Sequence, residues 1–89
     1  MVAVLLKEKW YRVPSEKVVA VCDAAKFTVY PLPDYKGRVI IYQGQLARVD
    51  GEPAKKLLIL RENDALLALF ADQVESHMPQ ESLEPYRCQ

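Results

Sequence analysis

The residues able to carry chemistry are few. His77 is the single histidine, and Cys22 and Cys88 are the two cysteines. A thiol and an imidazole brought together make a nucleophile and its base, and Glu75 and Asp72 are the acids nearest the histidine. The local sequence does not support that use. It has no nucleophile elbow and no glycine-rich loop to cradle a phosphate. Cys22 lies in "VVAVCDAA", among valines and alanines, where a cysteine behaves as a small buried hydrophobe. His77 reads as a surface residue closing a strand. Two distant cysteines and one histidine do not complete a tetrahedral metal set. Asp64 and Asp72 stand either side of an apolar run, as turn and strand-end residues. The expectation is a chain with no catalytic residues, no metal and no cofactor.

Binding groups are better supplied. Trp10, Tyr11, Tyr30, Tyr35 and Tyr42 are many aromatics for so short a chain. Tyr11 alternates with Val13 and should turn inward, which leaves Trp10 and Arg12 on the opposite face. Tyrosine and arginine are enriched at interface hot spots. Arg38, Tyr42 and Arg48 lie along one expected hairpin, with Gln43 and Gln45 near its tip. Tyr35, Arg38, Tyr42, Gln43 and Arg48 are therefore the candidate protein-interface residues; the plainer alternative is an ordinary solvated strand face. Lys and Arg number 12 and so do Asp and Glu, for a net charge of zero. A binder of nucleic acid or of an anionic membrane would show a basic excess.

Short strands must position these residues. "VAVLL" is apolar and β-favouring, "KEK" interrupts it and "WYRV" resumes: strand, tight turn, strand. Pro14 has no N–H for a ladder and ends the second arm. Ser15 before "EKVVAVCDAA" suits a helix N-cap, Glu16 suits the first turn, and Val18, Val21 and Cys22 would share a helical face. The spacing predicts one short helix within residues 15–25. "FTVY" is a short extended piece and "PLP" an extended surface connector. Lys36-Gly37 opens a hairpin with arms "RVIIYQ" and "QLARV" and Gly44 near its turn. "DGEP" and "ENDA" are turns bounding the strands "KKLLIL" and "LLALFA". Alternation turns Val39, Ile41, Leu58, Leu60, Leu67 and Leu69 inward, although four apolar residues in a row hide the register of "RVIIYQ".

The polar tail "MPQESLEPYRCQ" is expected to be loosely held. The whole predicts one all-β domain over residues 1–85, a small antiparallel barrel or pair of barrels, with a tail at 86–89. No apolar run approaches the ~20 residues of a membrane span. "MVAVLL" lacks the basic leader of a signal peptide, and two cysteines do not make a secreted disulfide scaffold. These features predict a cytoplasmic protein with reduced thiols.

Five short motifs follow one another in an order that is informative. Tyr11-x-Val13-Pro14 comes first. Val18 and Val21 then complete Pro-x-x-x-Val-x-x-Val. "PLPDYKG" is a proline-rich connector with a Lys-Gly step into the hairpin. "LFADQV" is an apolar strand ending on Asp72 and Val74. Leu83-x-Pro85 closes the set. In this order and spacing the chain resembles the CheW-like domain, the adaptor fold of bacterial chemotaxis signalling, in which two small SH3- or OB-like barrels share one core. The resemblance touches both ends and the middle, and no single motif in it is specific. It implies non-catalytic coupling of a chemoreceptor to a histidine kinase, or a related signalling assembly, with the hairpin residues as anchors.

Three departures accompany the resemblance. The family hairpin Gly-Val-x-Asn-x-Arg-Gly reads "GRVIIYQG" here, so Tyr42-Gln43 stand where the family has an arginine of its partner-contact surface. The family's segment after the hairpin is nearly absent, which implies a reduced barrel. Val-x-x-Val after the aspartate becomes Val74-x-x-His77. Two other classes stay open. A small barrel could stack single-stranded nucleic acid on Tyr and Phe, though the neutral charge counts against it. A Cys-dependent enzyme would need a depressed Cys22 pKa. An exposed edge strand on a reduced barrel would also permit self-association.

Overall fold

The computed structural model describes residues 1–35, 37–76 and 83–87, and of Tyr35 the backbone alone. β1 (Val2–Leu6) and β2 (Lys9–Val13) pair antiparallel from Val2↔Val13 to Leu6↔Lys9. Lys7, at φ 61°, makes the turn between them. Pro14 ends the ladder, and a 3-10 turn at Ser15–Lys17 redirects the chain into the second sheet.

The short helix expected within residues 15–25 is instead β3 (Val18–Asp23), with a second 3-10 turn at Ala24–Lys26. Its burial alternates residue by residue, with Val18, Ala20 and Cys22 half-buried and Val19, Val21 and Asp23 exposed. Three valines in six residues favour the extended form, since their branched side chains lose χ1 freedom in a helix. Pairing with β7 then settles the matter.

β4 (Tyr30–Leu32), β5 (Gly37–Tyr42), β6 (Gln45–Asp50), β7 (Lys56–Glu62) and β8 (Ala65–Ala71) follow. With β3 they form a six-stranded sheet in the order β3-β7-β8-β6-β5-β4. Pro31, expected in a connector, sits in the short edge strand β4, where a missing N–H costs least. The β5–β6 and β7–β8 turns are two residues long, Gln43-Gly44 (φ 48° and 79°) and Asn63-Asp64 (φ 46° and 59°). Two consecutive positive φ values match the right-handed twist of the flanking strands. β9 (Gln73–Glu75) and β10 (Glu84–Pro85) join β1 and β2 in a four-stranded sheet, β10-β2-β1-β9.

The architecture is all-β and barrel-like, as expected. Both sheets are mixed rather than purely antiparallel, because β6 lies parallel to β8 and β10 parallel to β2, and neither sheet closes. β8 and the centre of β7, residues 57–60, are uninterrupted apolar runs because each is buried on both faces. Leu57, Ile59, Leu66, Ala68 and Phe70 face one cluster with Ile40, Ala47 and Val49. Leu58, Leu60, Leu67, Leu69 and Ala71 face a second cluster with Val4 and Val13 of the other sheet. Leu58, Leu60, Leu67 and Leu69 thus lie inside as expected, and so does Val39. Ile41 does not. It is 52% exposed, and its neighbour Ile40 is the buried residue.

The described part of the tail is docked rather than loose. The Tyr86 N–H donates to the Arg12 carbonyl at 2.9 Å, and the Arg12 guanidinium donates to the Leu83 carbonyl. The Tyr86 ring meets Tyr11 edge-on, centroids 6.4 Å apart, and its hydroxyl donates to the Asp50 carboxylate.

Candidate protein-interaction surface

The β5–β6 hairpin is fixed by its two-residue turn. Tyr42 faces Gln45, Ile41 faces Leu46, Ile40 faces Ala47 and Val39 faces Arg48. Directly opposed residues share a sheet face, and side chains alternate along each strand. Arg38, Ile40 and Tyr42 therefore look toward the first cluster with Ala47 and Val49. Val39, Ile41, Leu46 and Arg48 look the other way.

This divides the residues expected to form one interface. Arg38 is half-buried, and its guanidinium donates to the Gly51 carbonyl at 2.7 Å. It braces the bend after β6, where Gly51 sits at φ 87° and its N–H donates to Asp50 Oδ1 at 3.0 Å. Tyr42 is half-buried, its ring tilted by 34° against Phe27 at 6.3 Å. Gln43 is exposed at the hairpin tip, and Arg48 is exposed on the opposite face from Arg38 and Tyr42. The Tyr35 side chain lies outside the described structure. Arg38 and Tyr42 thus support the fold, while Gln43 and Arg48 remain at the surface.

A different group forms the accessible patch. Ile41 and Leu46, directly paired, are 52% and 58% exposed. Tyr30 on β4 faces Val39, which faces Arg48, so the three form a row on the same side. Tyr30 is 46% exposed. The patch is open because the second cluster draws its members from β1, β2, β7, β8 and their flanks, and none from β4, β5 or β6. The four-stranded sheet packs over β7 and β8 and does not extend to β5 and β6. Alternation in "QLARV" carried the signal, for it sets Leu46 in phase with Arg48 and out of phase with the buried Ala47 and Val49.

Stacking of nucleic acid needs a succession of exposed rings. Among the described residues Tyr30 alone is an exposed aromatic; Trp10, Tyr11, Phe27, Tyr42, Phe70 and Tyr86 are half-buried or buried. Cys22 is half-buried against the first cluster, while His77 and Cys88 lie outside the described residues. No group of three or more His, Cys, Asp or Glu among the described residues could hold a metal. A cleft between the tail and the bend after β6 is lined by Lys7, Tyr11, Asp50, Glu84 and Tyr86. Lys7, Asp50 and Glu84 in it have partners, Tyr86 being that of Asp50. Lys9 binds Glu84 at 2.9 Å and Lys7 binds Glu52 at 3.5 Å. The hydrogen bond that the Lys9 ammonium donates to the Glu84 carboxylate holds the Lys9 pKa above the ordinary lysine range. No helix among the described residues is long and apolar enough to cross a membrane. No family model matches the chain, and no curated protein matches it in sequence.

Proposed function

We propose that this chain is a non-catalytic adaptor domain of chemotaxis-type signal transduction, joining a chemoreceptor, a histidine kinase or a related signalling protein through the outer face of the β5–β6 hairpin. The observation that carries a binding role is the Ile41–Leu46 pair. Two large aliphatic side chains, each more than half exposed and directly opposed, form with Tyr30 an apolar strip edged by the Arg48 cation. Contiguous exposed apolar surface rimmed by polar residues marks an interaction site. The signalling assignment rests on the CheW-like order of motifs, and the two-sheet, barrel-like architecture supports it. Tyr42-Gln43 replace the family's arginine at the hairpin, so contact through Ile41, Leu46, Tyr30 and Arg48 is the form this adaptor would use.

The test is titration of the purified chain against the cytoplasmic part of a chemoreceptor and against a histidine kinase from the same cell. Leu46→Lys places an ammonium in the apolar contact and should weaken binding about tenfold or more, a loss of ~1.4 kcal/mol. Its melting curve should match the parent. If neither protein binds, the signalling role is wrong. If binding survives Leu46→Lys in a folded variant, the surface is wrong.

A further inference from the structure

The tail is held on the outer side of β2 by a parallel ladder of two residues, Glu84↔Tyr11 and Pro85↔Arg12. Around that short ladder, successive tail positions each meet a group of their own. The Arg12 guanidinium donates to the Leu83 carbonyl, and the Lys9 ammonium lies 2.9 Å from the Glu84 carboxylate. The Tyr86 N–H donates to the Arg12 carbonyl, so the backbone nitrogen of the residue before it points away from β2. Pro85 stands there, has no N–H to offer and loses no bond. The Tyr86 ring meets Tyr11 edge-on, and its hydroxyl donates to the Asp50 carboxylate. Shortness and a proline suffice to blunt a sheet edge. They do not require that a carbonyl, a carboxylate and a phenol be recognised one after another.

None of these tail residues is fully buried: Leu83 and Tyr86 are half-buried, and Glu84, Pro85 and Arg87 are exposed. Such a segment belongs to the part of a fold that opens locally, ahead of global unfolding. The tail also leaves space beside it. It walls one side of a cleft lined by the apolar Leu6, Tyr11 and Leu69 and by Lys7 and Asp50, without filling it. We propose that the β2 edge and this cleft form a peptide-binding groove, which the chain's own tail occupies as a displaceable strap. The partner is an extended segment of another protein bearing an acid, a proline and a tyrosine in succession. It adds to β2 as a parallel strand, with main-chain bonds for affinity and side-chain pairings for choice. The acid pairs with Lys9, and the tyrosine with Tyr11 and Asp50. The proline holds the segment extended beforehand, which lowers the entropy lost on binding. A side chain that fills the cleft gives the partner apolar contact beyond what the tail makes. The groove shares no residue with the hairpin patch, so this proposal stands independently of the adaptor role.

The test is an NMR titration of the full chain with a terminally blocked peptide of residues 83–87, Leu-Glu-Pro-Tyr-Arg. In the parent, the tail competes at high effective concentration. Glu84→Ala with Tyr86→Ala releases the tail, and the peptide should then bind at least about tenfold more tightly, shifting the amides of β2, Asp50 and Gly51. Adding Lys9→Glu to that variant should weaken binding, and a peptide with lysine in place of its glutamate should restore it. A peptide with alanine in place of its tyrosine should not bind. In the parent, the Tyr86 amide should exchange with solvent much faster than the amides of β7, a readout that does not depend on the released variant folding. No binding to a folded released variant, equal binding to parent and variant, or no rescue by the charge exchange would each overturn the proposal. So would a Tyr86 amide that exchanges only together with those of β7. A dimer of the parent built by exchanged tails would overturn it too, since the occupant would then be a second copy.

Discussion

Asp23 accepts a hydrogen bond from the Lys56 ammonium at 2.8 Å. That bond first, and the attraction of the Lys56 charge second, hold its carboxyl below the ordinary aspartate range. Both side chains are well exposed, so solvent screens the pair and its share of stability at neutral pH is small. The sign is still defined. A carboxyl whose pKa is lowered by folding stabilises the fold above its unfolded pKa, and the contribution is lost as pH falls through the folded value. An NMR titration should place the Asp23 midpoint below that of aspartate in the unfolded chain, and Lys56→Gln should return it toward that value. A midpoint indifferent to the lysine would show that the bond is not kept in solution. Lys9 behaves in the opposite sense. Its pKa is raised by Glu84, so what that pair contributes is complete below the unfolded lysine pKa and disappears as pH rises through the folded value.

At the scale of elements, β5 and β7 give contrasting expectations. Leu58 on β7 is fully buried, so Leu58→Ala should cost about 2–5 kcal/mol. Ile41→Thr on β5 should change stability by no more than ~0.5 kcal/mol, as for a surface position. A denaturant series on the two variants checks both, and equal losses would mean the strand register is misplaced. The strands of β7 and β8 and the turns between them are legible in the sequence, because long apolar runs bounded by Asn, Asp, Gly and Pro admit few alternatives. β5 is less so: "VIIY" hides its phase, and the phase is set by counting back from the Gln43-Gly44 turn. The same count would have separated Arg38 from Arg48, since two residues in the turn put them on opposite faces. β3 was illegible for another reason. Val18, Val21 and Cys22 satisfy a helical period while Val18, Ala20 and Cys22 satisfy a strand, and a distant partner, β7, decides between them.

For the molecule as a whole, the tail couples the two sheets. Tyr86 reaches from beside β2 to Asp50 at the end of β6. Tyr86→Phe keeps the ring against Tyr11 and removes the hydroxyl, leaving the half-exposed Asp50 to water. A loss of about 1 kcal/mol follows, which for a domain of this size lowers the melting temperature by roughly 4–8 °C. A calorimetric scan unchanged by Tyr86→Phe would show that the contact does not hold the sheets together. This docking is invisible locally, because it joins polar, proline-bearing sequence to residues far back in the chain. The β7–β8 hairpin gives the molecule its other unity. Closing a two-residue turn is entropically cheap beside the long-range pairings, so this hairpin, like β5–β6, can form before the pairings that join it to β3 and β6. Successive residues such as Leu58 and Ile59 belong to different clusters, so the same backbone is the wall of both. Neither layer has a scaffold of its own to melt from, and the two must gain and lose their order together.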